Sequence, residues 1–345
     1  MQRHLPTLVG VLLAGAALFE ASPSYAQEEA GEKSPLVTGD TPLPFGFNYG
    51  EVDTTRSGAM GGALRASGSG TSAPFLNPAA MPLTRLYHIE ALGQIVPEYG
   101  RQVYGGVIVD SITNKLAGGV AVTGGFLDSF SDLRTSVDRS WVDVRLALAY
   151  PIVDGFAIGL GGRYLKLNQN GTGPLGPSKV DGGLKDPEGD GRLSIVNVPT
   201  FDAGIAIKAG DLVRIGLAGQ NLTYPDNGIL PTTIGGGLGL GNEDFTIEVD
   251  GVADLNSYGK PTMRLMGGGE YLLVDRVPLR LGYRFDQGAD SHQLSGGLGY
   301  IQPEFMIEAS VRRTLVGPEM TEIIFGVAYF LESSGLTGRG DEVAQ

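Results

Sequence analysis

The chain has 345 residues, of which 55 are glycine, only 13 are phenylalanine and one is tryptophan. Its 38 acidic and 25 basic side chains give a net charge of −13, which argues against nucleic acid or anionic lipid as the main partner. The absence of cysteine excludes disulfides, thiolate metal sites and a lipid-anchored cysteine. Glycine at this density, without a collagen repeat, is typical of closely spaced strands and tight turns.

Residues 1–26 predict a cleaved secretory signal peptide. They combine a basic start at Arg3, an apolar run from Leu8 to Leu18, and a small residue, Ala26, at the expected cut. The apolar run is about eleven residues long, whereas a membrane-spanning helix needs roughly 20. The alternative is a short membrane anchor. Cleavage at this point would give an exported protein.

The pattern changes twice after the signal peptide. Residues 27–44 are polar, acidic and without period, which is typical of a disordered leader. Residues 45–85 are rich in Gly, Ala and Ser and lack strand alternation. Residues 86–331 repeat stretches of about ten residues that alternate between apolar and polar, separated by turn residues, as transmembrane β-barrels do. Residues 332–345 are interpreted as a flexible C-terminal tail.

The alternation predicts an all-β fold, a transmembrane antiparallel barrel of fourteen strands. The even number agrees with closure of an antiparallel barrel. The predicted strands are 86–96, 101–109, 115–125, 139–151, 155–167, 199–208, 212–221, 230–241, 243–253, 261–272, 277–286, 291–301, 304–314 and 319–331.

Two further patterns favour a membrane barrel over a soluble β-protein. In the stretch from Val277 to Asp286, apolar Leu279 and Leu281 alternate with Arg280 and Arg284, so one face suits lipid and the other suits a lumen. Every second connection is short, and the longest connections, 126–140 and 168–198, both fall on the opposite side. Outer-membrane barrels have short periplasmic turns and longer external loops.

The stretches from Arg56 to Ala63 and from Phe75 to Met81 resemble the N-terminal signature of the FadL-type transporters of long-chain fatty acids and other hydrophobic compounds, and of the related PorV/PorQ-type barrels. In both families a Gly/Ala-rich run is followed by Asn-Pro-Ala just before the first strand. Later stretches agree: Gly216 to Leu222 followed by Leu230-Pro231, and Gly268 to Tyr271 followed by Leu279 to Tyr283. The resemblance covers nearly the whole mature chain, and the sequence resembles the PorV/PorQ-type members more than FadL itself.

This resemblance implies an outer-membrane barrel of a Gram-negative bacterium, in contact with outer-membrane lipids. It also implies that residues 45–85 fold into the lumen as a hatch, and that hydrophobic substrates leave through a side opening. Glycine and alanine would let the hatch pack close to the wall, and proline after asparagine would fix a turn. The alternative is a periplasmic tether. The residues assigned to the hatch motif are Gly58, Gly61, Gly62, Asn77, Pro78 and Ala79.

Nine charged residues are expected to face the lumen, where isolated charges would be costly, so pairing with one another or with the hatch is favoured. The alternative is a polar path for solutes. These residues are Arg214, Glu248, Asp250, Arg264, Glu270, Arg280, Arg284, Glu308 and Arg312.

The sequence predicts neither catalysis nor a cofactor. His88 and His292, the histidines that remain after the signal peptide, have no metal or nucleophile spacing. Asp186, Glu188 and Asp190 begin like a calcium loop, but Asn197 stands at position 12, where a bidentate glutamate is needed. An acidic solvated loop is the favoured interpretation, and weak surface calcium binding is the alternative.

The function that the sequence favours is passage of hydrophobic, fatty-acid-like small molecules across the outer membrane. The alternative is a non-transporting scaffold or cargo shuttle of a secretion or surface-attachment system, as PorV-type relatives imply. An apolar path between the hatch and the barrel wall would favour the transporter. The substrate and any protein partner are not specified by the sequence.

Overall fold

The computed structural model describes residues 52–127, 138–170, 194–225, 230–242, 244–257 and 260–331. The predicted signal peptide, the leader, the C-terminal tail, and the acidic loop with Asp186, Glu188 and Asp190 lie outside the described residues.

Within the described residues, fourteen strands form one closed antiparallel barrel in which each strand pairs with its neighbours in sequence and β1 pairs with β14. The closing seam runs in register from His88 opposite Phe330 to Ile95 opposite Ile323. This confirms the predicted fold class. The strands are β1 Tyr87–Val96, β2 Arg101–Asp110, β3 Ala117–Leu127, β4 Asp138–Val153, β5 Phe156–Asn170, β6 Ser194–Ala209, β7 Val213–Gln220, β8 Thr233–Gly241, β9 Phe245–Asp254, β10 Thr262–Leu273, β11 Val277–Asp286, β12 Ser291–Ile301, β13 Phe305–Val316 and β14 Thr321–Phe330.

The connections sort by length onto the two ends of the barrel, as the sequence predicts. The turns after β2, β4, β6, β8, β10 and β12 are short and share one end with the start of β1 and the end of β14. This end is called the short-turn end. The other end, where β3 and β5 end and β4 and β6 begin, is called the long-loop end, because the longest stretches of sequence between strands, 128–137 and 171–193, connect these strands. In outer-membrane barrels in general, the end with the short turns is the one that faces the periplasm.

The faces of the strands follow the predicted alternation. On β11, the side chain of Leu281 is 70% exposed on the outside, whereas its neighbour Arg280 is 4% exposed on the inside. The outer face carries exposed large apolar side chains on β2 to β14, and this apolar belt is what a barrel needs in order to sit in hydrocarbon.

β6 begins at Ser194, five residues before the predicted start at position 199. The predicted start coincides with Pro199, and a proline in a central strand removes a ladder hydrogen bond. In the structure, Pro199 lies in a part of β6 that pairs with β5 alone, where a proline is tolerated. The prediction missed this because the neighbour of a strand cannot be read from its own residues.

Residues 52–86 form the N-terminal segment, which precedes β1. It contains helix α1 (Thr55–Ala59), helix α2 (Ala73–Leu76) and 3₁₀ turns at Gly70–Ser72 and Pro78–Leu83; a further 3₁₀ turn, Pro97–Tyr99, joins β1 to β2. The Thr54 hydroxyl caps α1 by accepting a hydrogen bond from the Ser57 backbone amide at 3.3 Å. Among the described residues, no helix has both the length and the apolar character to span a membrane.

The N-terminal segment lies inside the barrel. α1 contacts β11 to β14, whereas the 3₁₀ turn Pro78–Leu83 contacts β3 to β6 on the opposite wall. A chain that touches strands on both sides of a closed ring, always on the face opposite the apolar belt, occupies its lumen. Glycines on the inner wall allow this close approach: a Cβ on Gly268 would lie 2.5 Å from the Met60 carbonyl oxygen, and one on Gly297 would lie 2.6 Å from the Ala59 Cβ.

Candidate functional site in the barrel lumen

Two carboxylates of β9 hold the middle of the N-terminal segment. Asp250 Oδ2 accepts hydrogen bonds from the backbone amides of Leu64 (3.1 Å) and Arg65 (3.0 Å), and from the Arg65 guanidinium at 3.1 Å. Glu248 accepts from the next two amides, those of Ala66 (2.7 Å) and Ser67 (2.9 Å). Four successive backbone donors, which would otherwise be buried without partners, are therefore satisfied by β9.

A second group of charges ties α1 to the short-turn half of the lumen. Arg56 donates to both carboxylate oxygens of Glu270, at 2.8 and 3.1 Å. Arg280 also donates to Glu270, at 2.5 Å, and pairs with Glu308. Because each guanidinium faces at least one carboxylate, these charges form a connected network of charge-assisted hydrogen bonds.

The remaining predicted charges also lie on the inner wall. Arg312 pairs with Asp53 of the segment (2.9 Å) and with Glu322 of β14. Arg264 pairs with Asp254 at 3.1 Å. The last two lie at opposite ends of the lumen: Arg284 borders a small cavity on the long-loop side of the segment, and Arg214 borders a vestibule at the short-turn end.

The glycines assigned to the hatch motif lie where the segment meets the wall. Gly58 is in α1, and a Cβ there would clash with the Ile324 side chain. Gly61 and Gly62 adopt left-handed conformations, with φ of 71° and 88°, directly after α1. Gly61 also lies against the Tyr283 backbone, where a Cβ would come within 2.7 Å of the carbonyl oxygen. A side chain at position 61 would therefore be excluded both by backbone conformation and by space.

Asn77, Pro78 and Ala79 form a tight corner that contacts both the segment and the wall. The Asn77 side-chain oxygen accepts from the Ala79 amide (3.1 Å), and its amide group donates to the carbonyl of Arg65 (2.8 Å) and to that of Ile205 on β6 (3.0 Å). Pro78 begins the 3₁₀ turn. A Cβ on Gly159 of β5 would overlap Ala79, so the corner touches the wall directly.

Sequence reasoning missed a buried charge cluster on β4 and β5. Arg163 donates to Asp143 at 2.6 Å, and Arg145 donates to the same carboxylate at 3.2 Å. Arg145 also lies over the Phe75 ring of α2, with 4.9 Å between the guanidinium carbon and the ring centroid. The available indication was position alone, since all three charged residues occupy inward positions of the predicted alternation.

The long-loop end of β4 to β6 has an inverted polarity, which the sequence reasoning also missed. These strands contain 16, 15 and 16 residues, whereas about 9 to 11 are enough to cross a bilayer. At this end the outward side chains, such as Lys166 and Asn197, are polar and exposed. The inward ones are apolar and, with Leu230 of the connection between β7 and β8, belong to a large buried apolar cluster that continues into the N-terminal segment. The part of this cluster at the long-loop end, against which half-buried Val198 packs, is called here the apolar collar: Trp141, Leu165, Leu167, Val196, Val198 and Leu230.

The wall is incomplete beside the collar. β6 pairs with β7 only from Ala203 to Ala209, so residues 194–202 of β6 have no ladder partner on that side among the described residues. Asn221 follows β7 with a positive φ of 53°, and its backbone amide donates to the Asp202 carboxylate of β6 at 2.7 Å. The chain then turns along β6. Two contacts hold it there: the Leu222 amide donates to the Phe201 carbonyl at 2.9 Å, and the Thr223 and Thr200 hydroxyl oxygens lie 2.8 Å apart.

The N-terminal segment separates two spaces in the lumen. On its long-loop side, a cavity of about 40 Å³ lies among Phe75, Leu76, Arg163 and Pro231. On its short-turn side, a vestibule of about 590 Å³ is bordered by Ala80 and other residues of the segment. The collar itself is closed in this structure, because Leu165, Leu167 and Leu230 are fully buried.

These features define a class of protein: a transmembrane β-barrel whose lumen is occupied by its own N-terminal segment. A scan of protein-family models finds no match to the chain, and a search of curated proteins finds none.

Solved structures share the fold. The CymD monoaromatic hydrocarbon channel matches with a TM-score of 0.61 and 15% identity, over 80% of this chain and 96% of that chain. The toluene transporter TbuX of Ralstonia pickettii matches with a TM-score of 0.54 and 15% identity, over 81% and 98%. A FadL homologue of Pseudomonas aeruginosa matches with a TM-score of 0.55 and 14% identity, over 80% and 97%. At these identities the likeness shows the fold alone, which is that of the FadL-like barrels.

Proposed function

We propose that this protein resides in the outer membrane and lets hydrophobic small molecules pass. The observation that carries the proposal is the apolar collar at the long-loop end of β4 to β6. A water-filled pore has a polar lumen. The collar instead has an apolar interior and a polar exterior, and it extends beyond the thickness of the membrane. A hydrophobic molecule that enters it from water is transferred to an apolar environment, which is favourable.

The incomplete wall beside the collar supports a sideways route. Val196 and Val198 of the collar belong to the same stretch of β6 that lacks a ladder partner toward β7. A molecule in the collar could move along this stretch, between β6 and the chain after Asn221, toward Phe201, whose apolar side chain is exposed on the outer face. There it reaches lipid without crossing the charged middle of the lumen. Opening there disrupts the backbone hydrogen bond at Leu222 and the Thr200–Thr223 contact rather than a full strand ladder.

In this proposal the N-terminal segment is the hatch. It fills the lumen between the small cavity and the vestibule, and its ties to Glu248, Asp250 and Glu270 keep ions and polar solutes from following the substrate. The known roles of proteins with this fold agree, since CymD is described as a monoaromatic hydrocarbon channel and TbuX as a toluene transporter.

The test compares two neighbouring residues of β5 in cells that depend on the protein for uptake of radiolabelled toluene or oleate. Leu167→Asp places a charge in the collar and should reduce uptake severely. Lys166→Asp places the same charge on the exposed outer side and should leave uptake nearly unchanged. Both variants must still show the heat-dependent gel shift of a folded barrel. Unchanged uptake in folded Leu167→Asp would refute passage through the collar and favour the scaffold function.

A further inference from the structure

A second cavity, of about 240 Å³, lies at the short-turn end, away from the collar. It is enclosed between the 3₁₀ turn Gly70–Ser72 of the N-terminal segment and the inner faces of β1 and β9 to β14. It is continuous with the vestibule, because Arg56, Asp244 and Glu270 border both spaces. A molecule in the periplasm could therefore reach it without passing the segment.

Much of the surface of this cavity is apolar, although the inner wall of β9 to β14 also carries many charged side chains. Its volume exceeds the roughly 150 Å³ of an apolar protein cavity known to bind benzene, so one substituted ring fits. Aromatic and thioether groups on the wall suit the face or edge of such a ring. The apolar residues are Leu86, Phe245, Leu272, Pro278, Ile301, Met306 and Phe330.

One polar side chain in this wall has no partner. His88 is 6% exposed, and neither of its ring nitrogens has a hydrogen-bond partner among the described residues. Its ring packs at 4.8 Å from the Phe330 ring, and a Cβ on Gly70 would lie 3.0 Å from Nδ1. Both nitrogens are covered, so the ring has to turn about its side-chain torsions to present one to a ligand. A neutral imidazole could then donate or accept one hydrogen bond.

The charges around the cavity select against an anionic ligand. Four carboxyl groups, those of Glu90, Asp244, Glu270 and Glu308, face only two guanidinium groups, those of Arg56 and Arg280. The carboxylate of a fatty acid or of benzoate would meet an excess of negative charge here. A neutral hydroxyl would not, since a phenolic group with an ordinary pKa near 10 keeps its proton at neutral pH.

We infer that this cavity is a binding site for a neutral single-ring molecule that carries one hydroxyl group, with the ring against Phe330 and Met306 and the hydroxyl bonded to His88. The site is distinct from the collar and does not rest on transport, because binding alone defines it.

The purified full-length protein in detergent is titrated with 4-fluorophenol, 4-fluorotoluene and 4-fluorobenzoate, and the fluorine resonance of each is followed by NMR. 4-Fluorophenol should bind saturably and about fivefold more tightly than 4-fluorotoluene, and 4-fluorobenzoate should not bind.

Two variants and one control locate the site. Leu272→Trp fills the cavity and should abolish binding of 4-fluorophenol, whereas Leu273→Trp, on the exposed outer face next to it, should preserve binding. His88→Phe should keep 4-fluorotoluene binding and remove the preference for 4-fluorophenol. The site is refuted if Leu272→Trp binds like the unmodified protein or if both tryptophan variants lose binding equally. The ligand class is wrong if 4-fluorobenzoate binds as tightly as 4-fluorophenol, or if the preference survives in His88→Phe.

Discussion

At the scale of single residues, the most consequential contacts are those between β9 carboxylates and the segment backbone. Asp250 and Glu248 accept four successive amides of residues 64–67, and Asp250 also pairs with Arg65. The sequence places both acids on the inner wall. Which partner each one meets could not be predicted, because the contact joins residues about 180 positions apart and depends on how the segment crosses the lumen.

Asp250→Asn should loosen the segment while leaving the barrel folded. Asparagine keeps the shape but removes the charge that faces Arg65, and its amide group faces donors. Breaking one side of a buried ion pair costs about 3 to 5 kcal/mol. We expect faster hydrogen exchange at residues 60–70, measured by mass spectrometry. Asp275→Asn, in an exposed turn, is the control. Equal exchange in both variants would mean that Asp250 does not hold the segment.

At the scale of strands, sequence reasoning succeeds where one face meets lipid and fails where it does not. β11 and β12 have their predicted bounds because apolar and polar residues alternate along them without interruption. The long-loop ends of β5 and β6 extend three and five residues beyond the predicted strands, because outside the membrane the alternation reverses: Leu165 and Leu167 point inward and Lys166 points outward. When the apolar side chains change from the outer to the inner face within one strand, the alternation is interrupted, and the sequence predicts that the strand ends there.

Leu281→Arg tests the assignment of faces. Leu281 is 70% exposed in the middle of β11, so an arginine there would meet hydrocarbon and should destabilise the barrel by roughly 2 to 4 kcal/mol. Val274→Arg, in an exposed short turn, should change stability by less than about 0.5 kcal/mol. Urea unfolding in lipid vesicles measures both, and equal costs would contradict the membrane placement.

Ser295→Arg, an inward substitution on β12, does not serve as a mild control for Leu281→Arg. Ser295 points toward the segment, and its hydroxyl donates to the Ala59 carbonyl at 2.8 Å. Ser295→Arg would have to displace α1, so we expect it to disturb the segment even though it leaves the outer face intact. A normal hydrogen-exchange pattern of residues 55–62 in this variant would show that the lumen has more room than the structure indicates.

At the scale of the complete chain, the strand pairing of the barrel does not involve the N-terminal segment, which lies in the lumen. Every strand pairs with two neighbours, and the ring closes through β1 and β14 without any residue of the segment. Deleting residues 45–80 should therefore yield a folded barrel that conducts more strongly and more noisily in planar bilayers. Asn77→Ala removes one corner of the segment and should give a smaller increase. A deletion variant that folds but conducts like the intact protein would refute the hatch.

In the proposed route, hydrophobic molecules leave the collar sideways between β6 and the chain after β7. Because the chain has no native cysteine, Thr200→Cys and Thr223→Cys together can lock this place with a single disulfide, since the two hydroxyl oxygens lie 2.8 Å apart. The decisive measurement is uptake of labelled toluene by cells carrying the double variant, before and after reduction, with each single cysteine variant as control. We predict that uptake is lost in the oxidised double variant and restored by reductant, whereas the single variants take up toluene normally. If uptake is undiminished although the disulfide has demonstrably formed, hydrophobic molecules do not leave the collar at this place.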